Sequence, residues 1–413
     1  MSGSVALHPR PYLLANRIQP YYWGTKGPDA FIPRLLGIRG EPGQPYAELW
    51  MGAHPNAPSD VVLDGERVSL RELVQREPLP VLGAATAQAF GGEFPFLLKV
   101  LSAGEALSIQ VHPNREQAQQ LHAQDPEHYP DPNHKPEVAI ALTDCRALVG
   151  FRSFADLQQA LEDYPELSAF VGAEIHRRFR AARGPAADEA RELVRQMYSA
   201  LMVGSLTRGP ELERALAALA ARLQAAHRPL SQAEQLFLDL SEPYPGDVGL
   251  FSVLLFNLVH LKPGQGIFID AGIPHAYMGG NMIECMAASD NVVRAGLTPK
   301  YKDVETLVRI LTYDLGPAPV LEGCVEGGCV TYPTPTREFQ VSCWEAAPGA
   351  DRSERTGGRP RILLVTGGEA LARGAAGELR LRRGQSALIP AVLEEYTLQA
   401  AGKAQLFTAQ VPA

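Results

Sequence analysis

The sequence predicts a mainly β protein interrupted by one block of helices. Three observations carry this reading. Strands with period-2 alternation, or continuous apolar character, lie on both sides of a central block. That block, about residues 153–243, is dominated by helix formers, with apolar residues recurring near a 3.6-residue period. From about Gly316 the chain turns glycine-rich and strand-like again.

The first β region is organised around residues 104–114, which read Gly-Glu-Ala-Leu-Ser-Ile-Gln-Val-His-Pro-Asn. Alternation sends Ser108, Gln110 and His112 to one face and Leu107, Ile109 and Val111 to the other. A polar inner face backed by an apolar outer one suits a small barrel with a ligand in its mouth. Gln110 and His112, two apart on that face, can grip one ion together. A second stretch, 133–140, is a loop (Asn-His-Lys-Pro) entering an apolar strand that begins at Glu137. A third, 264–275, begins at Gly264 and ends at His275.

Upstream, Tyr21-Tyr22-Trp23-Gly24 reads as core and turn, and Glu48 as a solvated strand position or a buried acid with a partner. Segment 68–90 reads as short helices. Segment 94–101 is an apolar strand with a single lysine, Lys99, which by itself would be an exposed, snorkelling side chain. The helical block reads as an insertion or a lid on a barrel rim, its charges forming a solvated face. Segment 246–260 is an apolar helix or strand. After His275 come Tyr277, Glu284, Asp290, Arg294 and Lys300, then a short helix over 303–311. Near the C-terminus, Gly384 precedes five residues and then Pro390, echoing the Gly264 stretch without its histidine. This predicts an internal repeat that lacks metal ligands.

Composition narrows the function. The 413 residues are 46% hydrophobic, enough for a large core and two or three domains. A formal net charge of -8 gives no electrostatic reason to expect nucleic acid or an anionic membrane as partner. Five cysteines without a C-x-x-C pair read as reduced thiols in a cytoplasmic protein. No apolar h-region stands in residues 1–24, so no signal peptide is expected, and no apolar run reaches membrane-spanning length. No glycine-rich nucleotide motif is present.

The spacing of the first and third stretches resembles the two motifs of the cupin jelly roll. Gln110 replaces the first motif's first histidine, and Asp270 replaces the second motif's proline. Glutamine oxygen, imidazole and carboxylate are all fit ligands for a borderline divalent ion. The wording is more specific still. Residues 46–52, 107–114, 133–137, 274–277 and 289–300 resemble signatures of the type I mannose-6-phosphate isomerases (phosphomannose isomerases), most similarly the animal enzymes. They span residues 20–310 in order; beyond Gly316 the similarity is architectural.

The resemblance implies two cupin-type jelly-roll barrels plus a helical domain. Residues 1–152 with 244–314 would form the metal-binding catalytic barrel, 153–243 the helical insertion, and 315–413 a C-terminal barrel without metal. It implies one zinc ion per chain, held by Gln110, His112, Glu137 and His275. It implies a catalytic Arg294 in a pocket with Lys135, Tyr277, Glu284 and Asp290, and phosphate held by Ser108, Lys99 and Lys300. The implied activity interconverts D-mannose 6-phosphate and D-fructose 6-phosphate through an enediol, in a cytoplasmic monomer that feeds GDP-mannose synthesis and glycosylation.

The same residues suit that chemistry on their own terms. Moving a proton between adjacent carbons needs a base, stabilised oxygen charge and exclusion of water. Lys135, Glu284, Asp290 and Arg294 all compete for the base. His112 or His275 alone would read as a satisfied core histidine; standing in two motifs of one barrel reverses that. Arg294 could instead brace the Asp290 loop, and Lys135 beside Glu137 could be an ordinary surface pair. His54, His122, His128 and His134 read as structural. Competing functions are an Fe(II) cupin oxygenase and a non-catalytic sugar-sensing or storage bicupin.

Overall fold

Two large antiparallel sheets and a helical block build the protein, whose computed structural model describes residues 7–412. The sheet that carries the predicted site runs in the order Val320–Leu321, Gly266–Ile269, Glu137–Ala141, His275–Ala287, Phe96–Ala103, Glu48–Gly52, Arg17–Gln19. A branch leaves it through Phe256–Leu261, Cys145–Phe151, Ile109–Val111 and Val293–Gly296. Among the described residues its hydrogen-bonded order is an open path, not a closed ring.

The long strand His275–Ala287 belongs to both parts. Its first residues pair with Cys145–Phe151 and Ile109–Val111, its later ones with Phe96–Ala103 and Glu137–Ala141. The exchange of partners falls at Gly279 and Gly280, whose φ angles are +151° and +112°. A Cβ on Gly280 would lie 2.5 Å from Cys145 Sγ, so only glycine lets the strand turn there.

The helices run from Phe154–Asp163 to Gln232–Ser241, followed by Gly249–Leu255. Segment 246–260 is therefore both helix and strand, since Phe256–Leu261 follows directly. The 21-residue helix Ala187–Thr207 buries Leu193, Val194, Met197, Tyr198 and Leu201. Ile109 and Val111 join this same core. The helical block thus covers the apolar back of the strand whose front carries Gln110. Burying two such side chains is worth about 3–6 kcal/mol, which fixes which face of the strand looks inward.

Segment 68–90 forms Leu70–Arg76, Pro78–Leu82 and Ala84–Ala89, and Asp303 caps the helix Val304–Ile310. The second large sheet has nine strands, mostly from beyond residue 316. The N-terminal strand Tyr12–Ala15 also lies in it, antiparallel to Ser386–Ile389, with Tyr12 opposite Leu388. The Gly384 repeat leads into that Ser386–Ile389 strand.

Candidate active site

Three strands set the metal-type donors side by side. Gln110 faces His275 across one strand pair and Arg294 across the other. Directly paired side chains on one face stand about 5 Å apart. Glu137 begins the strand Glu137–Ala141, and His112 follows Ile109–Val111. His112, Glu137 and His275 are buried, and one ligand atom of each lies within 4.8 Å of the others.

Hydrogen bonds fix how these donors point. His112 Nδ1 lies 2.8 Å from the Asn291 carbonyl and His275 Nδ1 lies 3.0 Å from the Ile273 carbonyl. Each Nδ1 therefore carries the proton and donates it, and each Nε2 presents a lone pair inward. Burial first, and Lys135 second, push the His112 imidazolium down to about 4, so the ring is neutral at ordinary pH. The lone pairs face a carboxylate: His112 Nε2 is 3.4 Å from Glu137 Oε2 and His275 Nε2 is 3.1 Å from Glu137 Oε1. Burial alone would raise the Glu137 carboxyl, but the Lys135 ammonium beside it opposes this, and the carboxyl is held well below the usual range. His112 Nε2 and Glu137 Oε2 are buried with no hydrogen-bond partner. Two such buried acceptors facing each other without a donor are costly unless a cation sits between them. The donor set of two imidazoles and a carboxylate fits zinc. The Gln110 amide nitrogen lies 3.3 Å from His275 Nε2; a flip of the amide would turn its oxygen to the same point. Asp270, in the proline position of the motif, is exposed and caps its own backbone at Ala271.

Beside this cluster, and lined by Gln110, opens a cavity of about 440 Å³. Ser108, Gln110, Lys135, Tyr277, Glu284, Asp290, Arg294, Lys300 and Lys99 all line it. Tyr277 is buried and donates its hydroxyl to Glu137 Oε1 at 3.0 Å. Lys135 Nζ lies 3.7 Å from Glu137 Oε2.

Lys99 has a different setting from the one its sequence context suggests. It is buried, not snorkelling, with its ammonium 3.1 Å from Glu284 and 3.6 Å from Glu48. Burial lowers its proton affinity, yet the two carboxylates outweigh this and raise it, so it stays charged. Glu48 also accepts the Trp50 indole N–H at 2.5 Å. Lys99 stands directly opposite both Glu284 and Trp50 in adjacent strands. A cation already matched by two carboxylates is a poor seat for phosphate.

Arg294 and Lys300 are the converse case. Among the described residues neither forms an ion pair or a side-chain hydrogen bond, although Arg294 is half-buried. Burial lowers the pKa of both, and Arg294 lowers Lys300 further. Two cations facing one space without a counter-charge suit an anionic ligand.

The cavity also contains residues that sequence reasoning left out. Tyr21 and Trp23 stack with ring centres 5.8 Å apart and line it with Tyr22. His54, read as structural, places Nε2 3.2 Å from Asp290 Oδ1, while Asn56 donates to Asp290 Oδ2 at 3.1 Å. Burial raises the Asp290 carboxyl, but His54 outweighs that and holds it low and ionised. His122, His128 and His134 bond to Tyr129, Asp125 and Glu338 respectively. The glutamate and tryptophan two apart in strand Glu48–Gly52 were the available signal for that wall; nothing local marked His54.

Comparison with known proteins decides the family. Residues 12–154 match the family described as phosphomannose isomerase type I, catalytic domain, and residues 170–256 its helical insertion domain. Mannose-6-phosphate isomerase 2 of Arabidopsis thaliana is 37% identical over 409 residues, covering 95% of this chain and 92% of that protein. The chain belongs to the type I phosphomannose isomerase family. The human mannose-6-phosphate isomerase is 40% identical over 313 residues, 74% of each chain. Among solved structures, zinc-bound mannose 6-phosphate isomerase matches with a TM-score of 0.85 and 36% identity, covering 98% of this chain and 100% of that one. The type I architecture, mainly β with a helical insertion, is therefore shared. Among the described residues no helix is long and apolar enough to cross a membrane.

Proposed function

We propose that this protein is a zinc-dependent isomerase that interconverts D-mannose 6-phosphate and D-fructose 6-phosphate. One observation carries the reading: a buried cluster of two imidazoles and a carboxylate, with His112 Nε2 and Glu137 Oε2 left unpartnered, lies behind a cavity that two unpaired cations line. A sugar phosphate has matching ends, oxygens at C1 and C2 and a dianion at C6. Family membership and the zinc-bound neighbour support the same assignment.

Gln110, His112, Glu137 and His275 would hold one zinc ion, which supplies a Lewis acid to polarise a carbonyl or hydroxyl oxygen. Lys300, Ser108 and the adjacent Thr298 would take the phosphate. Arg294, opposite Gln110 in the sheet, is placed to stabilise negative charge on the C1 and C2 oxygens. Of the competing bases, Glu284 is favoured. It lies deep, on the strand beside Glu137–Ala141, whereas Asp290 is held at the rim by His54 and Asn56. Glu284 would take the proton from C2 of the open-chain aldose, leaving an enediolate, and return it to C1. The hydroxyl proton on O2 moves to O1, so the ketose forms with no net gain or loss. Lys99 would keep Glu284 ionised before it takes the C2 proton and after it has returned that proton to C1, and Tyr277 and Lys135 orient Glu137. Such an activity would feed GDP-mannose synthesis and glycosylation.

A coupled assay with metal-replete protein tests this. Turnover in both directions without nucleotide, nicotinamide or oxygen is expected, with solvent deuterium entering C2 of mannose 6-phosphate or C1 of fructose 6-phosphate. Absence of both turnover and exchange would overturn the assignment.

A further inference from the structure

The loop that presents Arg294, Thr298 and Lys300 is anchored from outside the barrel. Strand Val293–Gly296 carries Arg294, and Leu297 follows with φ +53°, a left-handed conformation that non-glycine residues rarely adopt. Leu297 is fully buried and has no glycine-like freedom to offset this. Something must impose the turn. The group placed to do so is Asp247, which follows the last long helix of the helical block and precedes helix Gly249–Leu255.

The Asp247 carboxylate is almost fully used. Oδ1 accepts the backbone N–H groups of Gly249 and Leu297, both at 2.7 Å. Oδ2 accepts from Thr298 N at 3.5 Å and from Lys302 Nζ at 3.3 Å. One side chain, 11% exposed, therefore ties the helical block to three consecutive features of the loop: the strained residue, the residue after it, and a lysine two beyond Lys300. The backbones are in contact at the same point. A Cβ on Gly296 would lie 2.5 Å from Gly249 Cα. Thr298 Oγ1 then accepts Lys300 N at 3.1 Å, passing the constraint along the loop. Thr298, so placed, lines the active-site cavity and also a neighbouring one bounded by Tyr22, Tyr244 and Asp247.

We propose that Asp247 is a positioning residue: its carboxylate sets the left-handed turn at Leu297 and thereby aims Arg294, Thr298 and Lys300 into the cavity. The helical insertion is then part of the catalytic apparatus without touching substrate. This inference rests on the isomerase reading for its kinetic arm only.

The test compares Asp247→Ala and Asp247→Asn in the full-length, zinc-loaded protein. Asp247→Ala is expected to lower kcat/KM about 10- to 100-fold, the scale of a small misplacement of positioned groups. KM and the inhibition constant of inorganic phosphate should rise together, with zinc content unchanged. The Leu297 amide should lose protection from hydrogen exchange. Asp247→Asn keeps an oxygen for Gly249 and Leu297 and should recover most of the loss. If the folded fraction of Asp247→Ala keeps wild-type KM, phosphate inhibition and Leu297 protection, the proposal is wrong, even where the variant melts at lower temperature. If the wild type does not isomerise the sugar phosphate, the functional reading fails, and exchange at Leu297 still decides the role of Asp247.

Discussion

Replacing Lys99 with methionine should cost about 3–5 kcal/mol of stability at pH 8, the range for removing one partner of a buried ion pair. The figure follows from the geometry. The ammonium lies 3.1 Å from Glu284 and 3.6 Å from Glu48, and all three side chains are buried. At an effective dielectric of about 20, the nearer pair alone is worth about 5 kcal/mol before desolvation is subtracted. Methionine conserves volume, so little of the loss is cavity. What remains is a buried carboxylate pair without a cation. Burial already raises the Glu284 carboxyl even with Lys99 beside it, and removing Lys99 raises it further. A carboxyl whose folded pKa lies above its unfolded value stabilises the protein fully below the unfolded pKa, and that contribution is lost as pH rises through the folded pKa. The deficit of Lys99→Met relative to wild type should therefore be small near pH 5 and grow toward pH 8. Trp50, whose ring centre is 5.2 Å from the Lys99 ammonium, gives a local fluorescence signal for urea unfolding at each pH. Adding Glu284→Gln to Lys99→Met should restore much of the stability. A deficit below about 1 kcal/mol, or one that does not change with pH, would refute the buried-charge argument.

Other consequences are as direct. His275→Ala should lose its zinc and its activity while keeping its fold, because the chain has a core independent of the metal; elemental analysis should give one zinc per wild-type chain and a far lower content in the variant. Arg294→Ala should lower kcat about 10²–10³-fold, the scale for losing one electrostatic donor, at unchanged zinc content; steady-state kinetics with metal analysis separates this from a structural brace. Glu338, buried against Arg115 and His134, is pushed down to about 2, since His134, Thr336 and Arg115 outweigh the effect of its burial. A carboxyl lowered in the folded state stabilises above its unfolded pKa and loses that contribution as pH falls toward 2. Glu338→Gln should therefore cost about 2 kcal/mol near pH 7, allowing for screening, and progressively less in acid denaturation below about pH 4.

What local sequence could reveal is a face, and what it could not reveal is a neighbour. Period-2 alternation was enough to put Gln110 and His112 on one side of a strand, because side-chain direction in a strand depends on position alone. Motif spacing added Glu137 and His275, because each histidine or acid stands at a strand end where a turn delivers it. Lys99 was legible as a lone charge in an apolar strand, but its meaning was not. Glu48 and Glu284 become its partners only because strands Glu48–Gly52 and His275–Ala287 flank Phe96–Ala103 in the sheet. The same holds for His54 with Asp290, and for Asp247, whose segment 246–260 reads only as an apolar helix or strand. It holds for the N-terminal strand too: nothing near Tyr12 signals Leu388 as its opposite. Strand order and register are properties of the whole chain. The residues that coordinate a ligand are therefore written in short motifs, while the residues that hold those motifs in place are dispersed. Lys99 and Asp247 belong to the second kind: each is a single charge with three or more contacts on elements remote in sequence. Their substitution is where a family member with every recognisable motif intact would be expected to lose function.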